Sequence, residues 1–322
     1  MLRLLVPRAG VRWARQLSDA AAAAATEAAG AVGYRISPLT ASCGAEIFGP
    51  NLGRPLDAAQ LGAIRAALLA HGVVFFRDQE LSLDAHVELA SLFGEIDRHP
   101  IVRGLESHPD VIEIVREVGA ATNFGETWHT DNSYMPAPSL GSILVAREVP
   151  PWGNDTLFAS MNAVYDGLSP GLQAMLDGLE AVHSASAAFD PATVKGGAFA
   201  DDDAASDGGA AAAAMTYERT DELSTESVHP VVRTHDETGR KGLYVNSMFT
   251  LRFAGMTEED SAPLLKYLCA QVERPEVQCR FRWAPGSVAF WDNRAVQHLA
   301  IGDNSSHRRV MQRVTLEGPV PA

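Results

Sequence analysis

His129-Thr130-Asp131 stands in the first half of this 322-residue chain and His298 close to its end, so a fold that uses these side chains together must close a long stretch of sequence onto one point. In an extended segment the side chains at i and i+2 leave the same face, which lets His129 and Asp131 converge while Thr130 faces away. Two imidazoles and one carboxylate on one face of an octahedron suit ferrous iron and leave three positions open. Zinc more often takes a closed or three-histidine set.

The triplet is weak evidence alone, because other histidines also carry an acid two residues on. His108-Pro109-Asp110 contains a proline and follows the turn-like Glu106-Ser107, so it reads as a loop ahead of a strand at Val111–Val115. His86-Val87-Glu88 falls in a helical stretch, where i and i+2 diverge, and His235-Asp236-Glu237 opens a polar turn; both are expected on the solvated surface. His129-Thr130-Asp131 gains weight from the far end of the chain. There Gly286–Trp291 reads as a strand ahead of His298, and Arg308–Leu316 reads as another. Period two places Arg309, Met311 and Arg313 on one face of that strand, and two inward guanidiniums call for anions to answer them. A dicarboxylate cosubstrate and an acidic substrate would do so, and arginine's planar fork suits a carboxylate.

From about Gly33 to Glu317 the chain resembles the family of taurine dioxygenase and 2,4-dichlorophenoxyacetate dioxygenase. The resemblance rests on Trp128-His129-Thr130-Asp131, Gly153-Asn154-Asp155-Thr156-Leu157, Trp291-Asp292-Asn293-Arg294, Gln297-His298 and Arg309. It implies an enzyme that uses Fe(II), 2-oxoglutarate and O2 to hydroxylate a small anionic substrate, such as a sulfonate, sulfate ester or carboxylate, with succinate and CO2 as co-products. By position it implies His129, Asp131 and His298 as iron ligands and Thr156 with Arg309 at the distal carboxylate of 2-oxoglutarate. Arg313, His99 and Phe249 fall where the family contacts its prime substrate. The chain departs from the taurine enzyme at Gly125, where an asparagine would reach the substrate, and at Asn132, where an aliphatic residue follows the aspartate. Two other functions stay open: a hydroxylase of the carnitine-pathway type and a catalytically silent binding protein on the same fold. A trimethylammonium substrate would need an aromatic cage, and three scattered cysteines cannot supply the zinc region common in such hydroxylases.

A net charge of −14 argues against nucleic acid as a partner, since such proteins carry a basic footprint. An anionic substrate must then be met by local charge. Cys43, Cys269 and Cys279 show no metal spacing and point to a reducing compartment. Residues 1–18 hold Arg3, Arg8, Arg12 and Arg15 and no acid, ahead of the alanine run Ala20–Ala25; residues 1–30 read as a mitochondrial transit peptide and linker, with a basic tail on a cytoplasmic protein as the alternative. No apolar run is long enough to span a membrane.

Residues 31–322 then form one domain, mainly β with flanking helices, of the double-stranded β-helix or jelly-roll kind and open to homo-oligomerisation. Helices are expected at Asp57–His71, Ser82–Phe93, from Ser169-Pro170 to about Val182, and at Thr257–Val272. Ser142–Val149 and Asp155–Ser160 are expected to pair through the Pro150–Asn154 turn, with further strands at Val231–Thr234, Leu243–Asn246 and Cys279–Trp283. The low-complexity tract 195–215 is expected to be a lid.

Overall fold

Short runs of Val, Ile and Phe, bounded by Gly, Pro and Asp, build most of the architecture. A computed structural model describes residues 9–120, 125–189, 198–199, 216–217 and 220–322. Its largest sheet orders the strands Arg35–Pro38, Ala45–Phe48, Val73–Phe76, Val288–Asp292, Gly141–Glu148, Arg309–Leu316 and Ile96–Asp97, with Ile112–Arg116 also paired to Arg309–Leu316. A smaller antiparallel sheet runs Gln278–Phe281, Thr156–Ser160, Val296–Ala300, and a third joins Glu226–Pro230, Glu180–Ser184 and Thr250–Phe253.

Period two explains how the large sheet is covered. Phe75 points inward, stacks on Phe281 at 3.9 Å between ring centroids and meets Phe158 edge-on at 5.5 Å, which joins the large sheet to the smaller one. Its neighbours Val74 and Phe76 point the other way, into an apolar layer with Ile64, Leu68 and Leu89 from two outer helices. Buried on both faces, these strands read as continuous apolar runs rather than alternating ones. Full burial of each such side chain contributes about 2 kcal/mol.

The outer helices follow their end signals. Ala58–His71 starts at Asp57, whose carboxylate accepts from Gln60 N while Gln60 answers the Asp57 backbone, and it stops at Gly72 with φ of 72°. Leu83–Ser91 is capped by Ser82, and Glu258–Cys269 by Thr257.

Three expectations change. Gly141–Glu148 and Thr156–Ser160 do not pair with each other: the first lies in the large sheet and the second in the smaller one, so the turn between them crosses the sandwich. The helix from Pro170 ends at Leu176, Gly178 turns the chain with φ of 83°, and Glu180–Ser184 becomes a strand, because Ala181 and Val182 gain more by burial in the third sheet. The alanine run is not a linker, since it lies inside a helix, Ala9–Ala31, whose Ala25 and Ala29 are buried. Small side chains let that helix lie close to Ala58–His71. The lid expected at 195–215 lies outside the described residues except for 198–199.

Candidate active site

The two distant histidines meet through their backbones. His129 N donates to His298 O at 3.1 Å and His298 N to His129 O at 2.8 Å, an isolated antiparallel bridge that sets the imidazoles on one face with ring centroids 4.1 Å apart. The extended geometry is local: His129 is held by this bridge, and Asp131 already opens a turn. Thr130 points away, with its hydroxyl within reach of the Asn293 and Val296 carbonyls.

Asp131 is buried and its two oxygens are treated differently. Oδ2 accepts from Ser142 Oγ at 2.9 Å and Asn293 Nδ2 at 3.3 Å. Oδ1 faces His129 Nε2 at 3.8 Å, His298 Nε2 at 3.7 Å and Arg313 Nη1 at 3.2 Å. Burial alone would raise this carboxyl, but Arg313, His298, His129 and the Ser142 hydroxyl outweigh it and hold Asp131 well below the usual carboxylate range. Burial lowers both imidazoles, His298 to about 3 with help from His129, so the site holds neutral histidines beside an ionised carboxylate.

This donor set fits a metal ion. His129 Nδ1 lies 2.7 Å from Thr127 O and can only donate to it, so Nε2 keeps a lone pair directed at the site. The buried Nδ1 of His298 has no hydrogen-bond partner. Electron-rich atoms packed at 3.7 and 3.8 Å repel unless a cation lies between them, so the three donors converge on a place for one ion. The three donor atoms lie within 4.8 Å of one another, the single such His/Cys/Asp/Glu group among the described residues.

Both sheets contribute to the cavity beside these ligands. Thr156 and His298 share a face of the smaller sheet, because Thr156 pairs with Ala300 and Phe158 with His298. Arg309 and Arg313 come from the facing strand of the large sheet, and with Thr156 they line the same cavity as the two histidines. Thr156 Oγ accepts from Trp283 Nε1 at 2.9 Å, which leaves its own proton free to donate into the cavity. Arg309 is lowered to about 10 by burial and by the neighbouring Arg116, and its Nε has no partner. Arg313 Nε is likewise buried and unsatisfied.

The remaining expected positions, Phe249 and His99, join one aromatic cluster with Tyr134 and Phe189. Phe249 is fully buried, 6.4 Å from the His129 ring and 5.2 Å from that of Tyr134, and Asn246 fixes its backbone. His99 accepts at Nδ1 from the Ile101 and Val102 amides, so Nε2 carries its proton; burial, with Arg313, lowers this ring to about 3 and keeps it a neutral donor. Gly125 has φ of 80°, and a Cβ there would stand 3.2 Å from His129 Cε1, so a larger residue would crowd that ring.

Of the three decoys, His108 stays in a loop, as expected. The other two correct the expectation of solvated surface: His86 is buried on the inner side of its helix with Nε2 3.0 Å from Ile143 O, and His235 is buried against Asp292. Sequence reasoning assigned no role to Ser142, Asn293, Trp283 or Thr127, although all hold a site residue. Asn293 sits in the Trp291–Arg294 turn that was already conspicuous, accepting from Trp291 Nε1 and Asp131 N while donating to Asp131. Ser142 and Trp283 carry no comparable local signal.

Residues 35–315 match the model of the taurine catabolism dioxygenase TauD, TfdA family. The chain belongs to this family. It is 36% identical over 310 residues to an alpha-ketoglutarate-dependent sulfate ester dioxygenase of Pseudomonas putida, covering 95% of each chain. It is 35% identical to an alkylsulfatase of Acinetobacter baylyi, covering 89% of this chain and 86% of that one. A crystal structure of a taurine dioxygenase from Burkholderia xenovorans superposes with a TM-score of 0.72 at 36% identity, covering 90% of this chain and 92% of the other. The protein is accordingly an oxidoreductase of the Fe(II)- and 2-oxoglutarate-dependent dioxygenase class.

Proposed function

We propose that His129, Asp131 and His298 hold the iron, that Thr156 and Arg309 bind the distal carboxylate of 2-oxoglutarate, and that Arg313 draws in the anionic head of a sulfate ester. The carrying observation is the buried His-Asp-His group beside two arginines whose Nε atoms are unpaired. The faced sheets support a jelly-roll reading of the fold.

Iron(II) with 2-oxoglutarate and O2 supplies the hydroxylation of an unactivated C–H bond. The protein's own part is positional. Ser142 and Asn293 hold one oxygen of Asp131 so that the other faces both imidazoles, and the Thr127 carbonyl fixes the tautomer of His129. Arg313 keeps two nitrogens beyond its contact with Asp131, and His99, a neutral ring already bonded to the Asn132 side chain, stands near it. Phe249, Tyr134 and Phe189 pack against one another beside His129, and Ile114, Leu144, Phe158 and Trp291 give the cavity an apolar lining that suits an alkyl chain. Hydroxylation of the carbon bonded to the ester oxygen gives a product that loses its hydroxyl proton and breaks the C–O bond, yielding an aldehyde and sulfate. The two relatives named for sulfate esters and alkyl sulfates favour this substrate class over taurine. A buried guanidinium at the site opposes a trimethylammonium head.

Succinate formation with medium-chain alkyl sulfates, alkylsulfonates, aryloxy acids and amino acids tests the reading, with alkyl sulfates expected to stimulate most. Arg313→Ala should raise the KM for the sulfate far more than that for 2-oxoglutarate, and equal losses would contradict its role. We further propose that residues 1–18 direct mitochondrial import; removal up to Ser18 would leave the buried Ala25 and Ala29 in place. A fluorescent protein fused to residues 1–30 that stays in the cytosol would refute it.

A further inference from the structure

Arg116 ends the strand Ile112–Arg116 directly across from Arg309, so both side chains rise from the same face of the large sheet. Both are buried, at 3% and 5% exposure. Like charges opposite each other in a sheet repel, and withdrawal from water strengthens the repulsion. Yet neither arginine pairs with a carboxylate among the described residues. The acids of that corner are engaged elsewhere, since Asp155 and Asp303 both face Arg280.

Arg116 is nevertheless fixed in place. Its Nη1 donates to Asn154 Oδ1 at 2.8 Å and to Asn304 O at 3.0 Å, while its buried Nε has no partner. Asn154 is clamped in turn: its N donates to Asp303 Oδ1 at 2.7 Å, its Nδ2 to Asn304 O at 2.9 Å, and its φ is 54°. These acceptors orient the guanidinium through neutral groups and leave its charge uncompensated. A fold that spends this much order on two adjacent uncompensated cations gains stability when an anion arrives.

We propose that Arg116 is a positioning residue for the cosubstrate, a second fixed positive charge behind Arg309 that strengthens capture of the distal carboxylate of 2-oxoglutarate. The inference rests on the assignment of Arg309 made above. When the carboxylate binds, it relieves the repulsion between the two guanidiniums, so Arg116 contributes to affinity only for ligands that carry that charge.

The test titrates 2-oxoglutarate and 2-oxovalerate, which has the same carbon chain without the distal carboxylate, into anaerobic Mn(II)-loaded protein by calorimetry. Arg116→Gln should weaken 2-oxoglutarate about tenfold and leave 2-oxovalerate within about twofold, and Arg116→Lys, which keeps the charge, should recover most of the loss. Equal weakening of both ligands would make Arg116 a prop for the Asn154 turn and overturn the proposal, as would no effect on either. Arg309→Met separates the two assignments. A large loss there with none in Arg116→Gln removes only the role of Arg116, whereas unchanged 2-oxoglutarate binding in Arg309→Met removes the assignment of Arg309 and this proposal with it.

Discussion

Two buried constellations in this molecule are built from the same residue types, and they behave as opposites. Around Asp292, His235 Nε2 lies at 3.0 Å, Arg294 donates to both carboxylate oxygens at 2.9 and 2.7 Å, and Arg294 reaches on to Asp236 and Glu237. Around Asp131 the imidazole nitrogens stop at 3.7 and 3.8 Å and both nearby arginines keep an unpaired Nε. In each, burial would raise the carboxyl and its partners hold it far below the usual range. The first has spent its hydrogen-bonding capacity on the fold, whereas the second holds capacity in reserve. A functional site is marked less by which polar groups are buried than by which are left unanswered.

The sharpest way to break this contrast is to remove each carboxylate. Asp131→Ala should abolish turnover and metal binding, whereas Asp292→Ala should cost about 1–3 kcal/mol of stability by leaving the buried His235 and two nitrogens of Arg294 without their acceptor, with Arg294 still held by Asp236 and Glu237. Full 2-oxoglutarate consumption by Asp131→Ala, or an unchanged unfolding midpoint for Asp292→Ala, would erase the distinction. Next in size is the response to metal: Mn(II) at about a hundred times its dissociation constant should stabilise the wild type by about 2.7 kcal/mol in a thermal melt and leave Asp131→Ala unmoved.

Smaller effects sharpen the comparison within the site. Thr156→Val should raise the KM for 2-oxoglutarate about fivefold, the scale of one hydrogen bond, with little change for the sulfate substrate. Trp283→Phe should do the same more weakly, since it removes only the donor that turns the Thr156 proton into the cavity; an unchanged KM in both variants would show Thr156 to be an ordinary strand residue. The gentlest test concerns His86, a structural histidine lowered to about 4 by burial. Between pH 4 and its unfolded value near 6.5 the unfolded chain binds the extra proton, so stability rises with pH across that window and is lost as pH falls. His86→Gln should flatten that part of the stability profile, and an unaltered slope would mean that the ring is not held neutral.

Much of this was legible in the chain. Period two and capping residues located most strands and helices, because such signals act over a few residues and tertiary packing reinforced them. Where packing opposed the local signal it prevailed: Ala181 and Val182 left a helical pattern for a strand, and Gly141–Glu148 and Thr156–Ser160 joined different sheets although a short turn connects them. His86 and His235 misled because a side chain's face is set by its neighbours in space.

The chain by itself pointed to His129, Asp131 and His298 as a donor set, through their spacing and a family resemblance, and to inward arginines at 309 and 313, since residue type and alternation are properties of a linear string. Only the tertiary structure decided that His129 and His298 pair backbone to backbone, that Ser142, Asn293 and Trp283 aim their neighbours, and that Arg116 stands beside Arg309. Hydrogen bonds and charge repulsion depend on distance in space, and a strand's partner across a sheet leaves no local mark on its sequence.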